Sequence, residues 1–216
     1  MNNLRLFVIT GGPGSGKTTL LQELNGQGFQ CAPEDARHII QEQVRDGGKA
    51  LPWADRMLYT RLMLERSIQS YKQHTAALRP TFFDRGIPDT LGYARLIGFT
   101  DDRFIREACD EYRYTSPVFL APPWKEIYET DKERKQDFEE AERTCALLAQ
   151  TYRECGYEVV ELPRLAPKER AEFIVKHLRV IFNAFGTSIP TGQPFKPNRG
   201  RRRSPLLRSS NTDQAL

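Results

Sequence analysis

Near one end of the chain, Gly11, Gly12, Pro13, Gly14, Ser15, Gly16, Lys17 and Thr18 fall into the spacing GxxxxGK[ST]. Each residue type has a physical reason to be there. The glycines permit backbone dihedrals that side chains forbid, so successive N–H groups turn inward around an anion. Lys17 supplies a point charge for the β and γ phosphates, and the Thr18 hydroxyl is a ligand for Mg²⁺. Thr19 carries the loop into a helix whose N-terminal dipole faces the same anion. The motif predicts a nucleoside triphosphate, ATP or GTP, bound with magnesium.

Two acids and an arginine belong to the same chemistry. Asp84 ends the apolar run Thr81-Phe82-Phe83-Asp84 and has the form of a Walker-B acid, a second group for the metal shell. Arg85 and Gly86 follow it directly. Glu34 closes another short apolar stretch, in Pro33-Glu34-Asp35-Ala36-Arg37. A carboxylate there can take the proton of a hydroxyl attacking the γ phosphate. The plainer alternatives are a surface Asp-Arg-Gly turn for Asp84 and helix capping for Glu34 and Asp35.

The elements that must position these residues are legible from periodicity. Leu4 to Thr10 is nearly continuous apolar sequence, the pattern of a strand buried on both faces. Further strands are predicted at Phe29 to Ala32, Thr81 to Asp84, Pro117 to Ala121 and Tyr157 to Leu162. Helices are predicted from Gly16 to Asn25-Gly26, Asp35 to Arg45, Pro52 to Leu78, Ile87 to Ile97, Asp102 to Tyr112, Asp137 to Cys155 and Pro167 to Phe185. The Pro52 to Leu78 helix shows an apolar stripe of Trp53, Met57, Leu64, Ile68, Tyr71 and Leu78. Alternating strands and helices imply βαβ crossovers and a parallel sheet covered on both faces. At the carboxyl ends of such strands, Asp84 and Glu34 face the crevice where α/β sheets bind ligands.

Several stretches resemble a known group. ITGGPGSGKTTL, PEDARHIIQEQ, FFDRGIPDTLGYARL and VFLAPPWKEIYETDKERKQDFEEA are similar to the P-loop nucleoside and nucleotide kinases. More closely, they resemble the small AAA-type ATPase domain family that includes the ribosylnicotinamide kinase part of NadR. The resemblance spans about residues 5 to 182. It implies a three-layer α/β P-loop NTPase fold with a five-stranded parallel sheet in the order 2-3-1-4-5. It also implies Glu34 or Asp84 as the base, Arg85 on substrate or phosphate, and a lid between Trp124 and Phe138. In that lid Arg134 and Lys135, with Lys132 nearby, would stabilise charge during transfer. A solvated helix face of mixed charge is the plainer reading of that segment.

Bulk properties limit the remaining choices. With 216 residues, 39% hydrophobic and 28% charged, the chain suits one domain over residues 1–185 and a basic, disordered tail over 186–216. The tail holds six basic residues and one acid, so subtracting its +5 from the chain's +4 leaves −1 on the domain. Beyond that charge nothing in the sequence supports contact of Arg199 to Arg203 with nucleic acid or an acidic surface. No apolar run approaches the ~18 residues of a membrane span, and the first residues lead into a glycine loop instead of a cleavage site. Cys31, Cys109, Cys145 and Cys155 have no CxxC spacing, which suggests free thiols and a cytoplasmic protein. His38, His74 and His177 lie on separate helices and read as structural.

Two functions stand against each other. One is a phosphotransferase acting on a small hydroxyl-bearing, nucleoside-like acceptor; the other is a nucleotide-dependent ATPase or GTPase switch acting through a partner. The acid after the second strand and the lid favour the kinase. No NKxD guanine-reading motif is present, against a translation-type GTPase, and there is little room for the helical lid domain of a hexameric motor.

Overall fold

Alternation along the first strand explains the layers. In β1 (Leu6–Thr10) every residue is buried. Leu6 and Val8 join one hydrophobic cluster, while Phe7 and Ile9 join another on the opposite face. Successive strand side chains point to opposite faces, so a strand covered on both sides must be apolar throughout. The computed structural model describes residues 5–127, 138–186 and 189.

The remaining elements follow in chain order: α1 (Lys17–Gly26), β2 (Gln30–Ala32), α2 (Asp35–Asp46), α3 (Arg56–His74), β3 (Thr81–Asp84), α4 (Ile87–Leu96), α5 (Arg103–Glu111), β4 (Val118–Leu120), α6 (Phe138–Glu154), β5 (Val159–Glu161) and α7 (Pro167–Ala184). A single 3₁₀ turn spans Lys125–Ile127. The five strands form one parallel sheet in the order β2-β3-β1-β4-β5, as the resemblance implied. On one face α1 and α7 bury Leu20, Leu24, Ile174 and Leu178 against Phe7, Phe82 and Phe119. On the other face Leu91, Ile105 and Tyr152, from α4, α5 and α6, cover Leu6, Val8, Phe83 and Val118.

Most element boundaries lie within a residue or two of those predicted from periodicity. The long helix is the exception. It begins at Arg56, where the Asp55 carboxylate caps it by accepting from the Leu58 N–H at 2.9 Å, and it stops at His74. Its buried residues are Tyr59, Thr60, Met63 and Leu64. Trp53, Met57 and Leu78, assigned to the apolar stripe from the sequence, are 66%, 50% and 79% exposed. Trp53 and Leu78 fall outside the helix altogether, so helical spacing has no bearing on where they point. The four cysteines are free thiols. Among the described residues no helix is long and apolar enough to cross a membrane.

The topology fixes where a ligand can sit. From β1 the chain crosses through α1 toward β2, on one side; from β3 it crosses toward β4, on the other. The neighbouring strands β1 and β3 therefore send their connections in opposite directions. A crevice opens between them at their carboxyl ends, the place where open α/β sheets bind ligands.

Candidate functional site

The loop between β1 and α1 occupies one side of this crevice. Gly11 has φ +139°, and a Cβ there would lie 2.1 Å from the Ala121 carbonyl oxygen. Only glycine fits, and it lets the loop press against the end of β4. A Cβ on Gly12 would come within 2.8 Å of the Ala141 carbonyl oxygen. Ser15 Oγ donates to the Gly12 carbonyl at 2.8 Å and closes the loop on itself. The Lys17 ammonium is buried and donates to the carbonyls of Gly12 and Gly11 at 3.0 and 3.2 Å, and to Ser15 Oγ at 3.4 Å. Burial first, and the Arg85 cation second, bring its pKa down to about 8, against the pull of Asp84, Glu34 and Asp89. An ammonium held this close to neutrality gains charge stabilisation when a polyanion arrives.

Across the crevice, Asp84 stands beside Ile9 in the β3–β1 register and is 7% exposed. Its Oδ1 is buried with no hydrogen-bond partner. Burial raises its pKa, opposed chiefly by Lys17. Thr18 is exposed and, with Asp84, lines a cavity of about 700 Å³ whose wall also includes Glu34 and Arg37. An orphaned carboxylate oxygen and a hydroxyl on one cavity wall suit Mg²⁺, which keeps several waters and takes one or two protein oxygens plus phosphate. Among the described residues no group of three or more His, Cys, Asp or Glu is placed to hold a metal.

Arg85 ties the acids together. Its Nε donates to Glu34 Oε1 at 2.8 Å and its Nη1 to Asp89 Oδ1 at 3.1 Å. Burial opposes its charge, but Glu34, Asp89 and Asp84 outweigh burial and hold the guanidinium above its ordinary pKa. Its backbone is left-handed, with φ 72°, a conformation costing a non-glycine residue about 1–2 kcal/mol. Asp89 in turn accepts from Thr10 Oγ1 and Tyr152 OH, each at 2.6 Å, and from the Gly86 N–H at 2.9 Å. Every contact fixes the carboxylate to which Arg85 is anchored.

A second cavity of about 260 Å³ opens on the far side of Glu34. Pro13, Glu34, Tyr59, Arg85, Asp89 and Tyr93 line it. The Tyr59 and Tyr93 rings meet edge to face at 5.5 Å. From α6 come Leu148 and Thr144, whose Oγ1 is buried without a partner.

The structure thus gathers Lys17, Thr18, Glu34, Asp84 and Arg85 around one crevice. Glu34, not Asp35, is the residue at the cap position of α2, and its side chain makes no cap hydrogen bond there. Arg134, Lys132 and Lys135 lie outside the described residues. His74 packs on Phe83 and His177 on Phe119, away from the network, whereas His38 lines the cavity of about 700 Å³ with Thr18, Glu34 and Asp84. Sequence reasoning missed Asp89, Thr10, Tyr152 and Arg170. Asp89 had a signal, an acid three residues past Gly86 at a helix start.

Comparison with known families agrees with this geometry. A model described as an AAA domain matches residues 6–170. The chain belongs to this AAA-domain family. No curated protein matches the sequence. Among solved structures, the AAA domain is similar to NadR in complex with NR, with a TM-score of 0.63 and 19% identity over 86% of this chain and 52% of that one. NadR in complex with NAD and AMP-PNP gives a TM-score of 0.58 and 18% identity over 86% of this chain and 50% of that one. Thymidylate kinase from Ehrlichia chaffeensis gives 0.54 and 16%, over 81% of this chain and 99% of that one. The AAA domain therefore spans about half the length of NadR, and at these identities the likeness is one of fold.

Proposed function

We propose that this protein transfers the γ phosphate of ATP, or of GTP, to a small hydroxyl-bearing acceptor of nucleoside-like chemistry. The observation that carries this reading is the place of Glu34: it lines both cavities, with Thr18 and Asp84 on one side and Arg85, Tyr59 and Tyr93 on the other. A hydrolytic switch has no need of the second cavity; a transferase does, because donor and acceptor must meet at one carboxylate.

The roles follow from the chemistry. The N–H groups of Gly11, Gly12, Gly14, Ser15 and Gly16 and the Lys17 ammonium hold the β and γ phosphates. Thr18 and Asp84 would hold Mg²⁺, which when bound neutralises charge on the phosphate oxygens. Glu34 takes the proton from the acceptor hydroxyl, and Arg85 orients Glu34 while facing the transferred group. The two tyrosines form an aromatic wall for a flat acceptor ring. The fold neighbours agree with that class: NadR is seen with NR, and another neighbour is a thymidylate kinase.

The test is purified protein with labelled ATP and magnesium against a panel of nucleosides and small alcohols. Labelled acceptor is the expected product. Free phosphate alone, unstimulated by any small molecule, would overturn the transferase in favour of a switch. Lys17→Ala should abolish turnover, and an unchanged rate in that variant sinks the site.

A further inference from the structure

Arg170 does not belong where sequence periodicity places it. It lies on the buried face of α7 with Ala171, Ile174, Leu178 and Phe182, and it is 3% exposed. Among the described residues it makes no ion pair. Its neighbour Glu169 is turned the other way and accepts from the Ala166 N–H at 3.1 Å. Burial alone lowers the Arg170 pKa, with no acid opposing it, and its Nε is buried without a partner. A buried arginine without a counter-ion is costly, and hydrophobic residues of similar size would be cheaper there.

Its one side-chain hydrogen bond among the described residues points to a reason. Arg170 Nη1 donates to the Ser15 carbonyl at 2.9 Å, across 155 residues of sequence. That carbonyl and the Gly16 N–H belong to the same peptide group. The only cis peptide bond among the described residues is Ser116–Pro117, so this one is trans and its carbonyl and N–H point in opposite directions. Gly16 sits at φ 74°, where glycine alone is comfortable and the peptide before it turns easily. Pinning the carbonyl to a guanidinium removes that freedom. It also polarises the peptide, so the N–H on its other end becomes a stronger donor.

Resting on the phosphate-loop reading above, we infer that Arg170 is a positioning residue for the polyphosphate. It holds the Ser15–Gly16 peptide with its N–H turned into the loop, and its unpaired charge is compensated from behind when the phosphates bind. No base, ribose or acceptor contact is involved. Its effect must therefore be the same for ATP and for a bare polyphosphate.

The full chain, with Arg170→Gln and Arg170→Lys, tests this by the ligand-free melting midpoint and the affinities for Mg·ATP and inorganic tripolyphosphate. Expected for Arg170→Gln is a midpoint equal to or above that of the wild type, with both affinities falling together by about 10- to 100-fold. Arg170→Lys, which keeps the charge but loses the fork, should recover part of the loss for both ligands. A lower midpoint with unchanged affinities in the folded variants would make Arg170 a simple brace and overturn the inference. So would a loss confined to ATP. If Arg170→Gln does not fold, Arg170→Lys decides alone: weaker tripolyphosphate binding supports the role and equal binding removes it. Wild-type protein that binds neither polyanion would reject the phosphate loop itself, and Arg170 with it.

Discussion

Arg85 and Glu34 hold each other at 2.8 Å across the mouths of the neighbouring strands β3 and β2, although 51 residues separate them in sequence. The pair sets the direction of a carboxylate that two cavities share. Replacing Glu34 with Gln keeps the size and one hydrogen-bonding oxygen but removes the ability to take a proton. Phosphoryl transfer should fall by about 10²- to 10⁴-fold, with ATP affinity within about twofold of wild type. Steady-state kinetics alongside ATP titration checks this, and a variant keeping a tenth of the wild-type rate would exclude Glu34 as the base.

The same pair makes a stability prediction with an internal control. Arg85→Ala takes the guanidinium from both Glu34 and Asp89. Breaking a fully buried pair costs ~3–5 kcal/mol, but the Arg85 and Glu34 side chains are 21% and 24% exposed, so about 2 kcal/mol is expected. Arg85→Gly removes the same contacts but also relieves the strain at φ 72°. It should therefore be about 1 kcal/mol more stable than Arg85→Ala in urea denaturation. Equal midpoints for the two variants would show that this backbone carries no strain.

Lys17 makes nucleotide affinity depend on pH with a definite sign. With its pKa at about 8 in place of the ordinary 10.5, the ligand-free folded protein loses this proton at a lower pH than the unfolded chain does. Its contribution to ligand-free stability therefore rises as pH climbs from about 8 to 10.5. Bound phosphates hold the proton on, so triphosphate binding above this pKa takes one up. The dissociation constant should rise about tenfold between roughly pH 7 and pH 9. Calorimetry in buffers of different ionisation heat reads the proton directly, and no uptake at the higher pH would mean that Lys17 does not face the phosphates.

The sequence made the frame of this site legible because strands and loops carry local signals. GGPGSGKT marks its own turn, and TFFD shows a strand ended by an acid. Alternation and helical spacing placed nearly every element. Apart from the local Arg85–Asp89 and Gly86–Asp89 contacts, the internal bracing was hidden for a physical reason: it joins residues far apart in sequence. Tyr152 reads correctly as a buried member of the α6 stripe, but spacing cannot show that its hydroxyl reaches Asp89, 63 residues away. Arg170 likewise interrupts an apolar face, and that interruption was its only signal. Trp53 and Leu78 failed in the opposite way, since matching spacing continued past the real ends of α3.

Gly92 offers a test of the proposed acceptor cavity that leaves the nucleotide side untouched. A Cβ there would lie 2.7 Å from Leu148 Cδ2, and both residues line the 260 Å³ cavity. The leucine side chain can move, so Gly92→Ala should fold, with Leu148 displaced and the cavity reshaped. Expected is an acceptor KM raised several-fold or more, with the KM for ATP and its dissociation constant unchanged. A variant with altered ATP binding and normal acceptor KM would place the acceptor elsewhere.

Tyr152 tests whether Asp89 braces the site or merely caps α4. Its hydroxyl donates to Asp89 Oδ2 at 2.6 Å, and the same oxygen accepts from the Gly86 N–H at 2.9 Å. Tyr152→Phe removes one charge-assisted hydrogen bond in a fully buried place, a loss of about 1.5–3 kcal/mol. Thr10, Gly86 and Arg85 still hold the carboxylate, so Arg85 keeps its anchor and kcat should fall by less than about tenfold. Asp89→Asn turns one acceptor oxygen into a donor among donors and takes the charge from Arg85. It should cost more stability than Tyr152→Phe and lower kcat well beyond it, because Arg85 then has Glu34 as its one paired acid among the described residues. Denaturation and kinetics of the two variants side by side make the comparison. If Asp89→Asn loses stability but keeps its full kcat, Asp89 serves the fold alone and the orientation of Arg85 rests on Glu34.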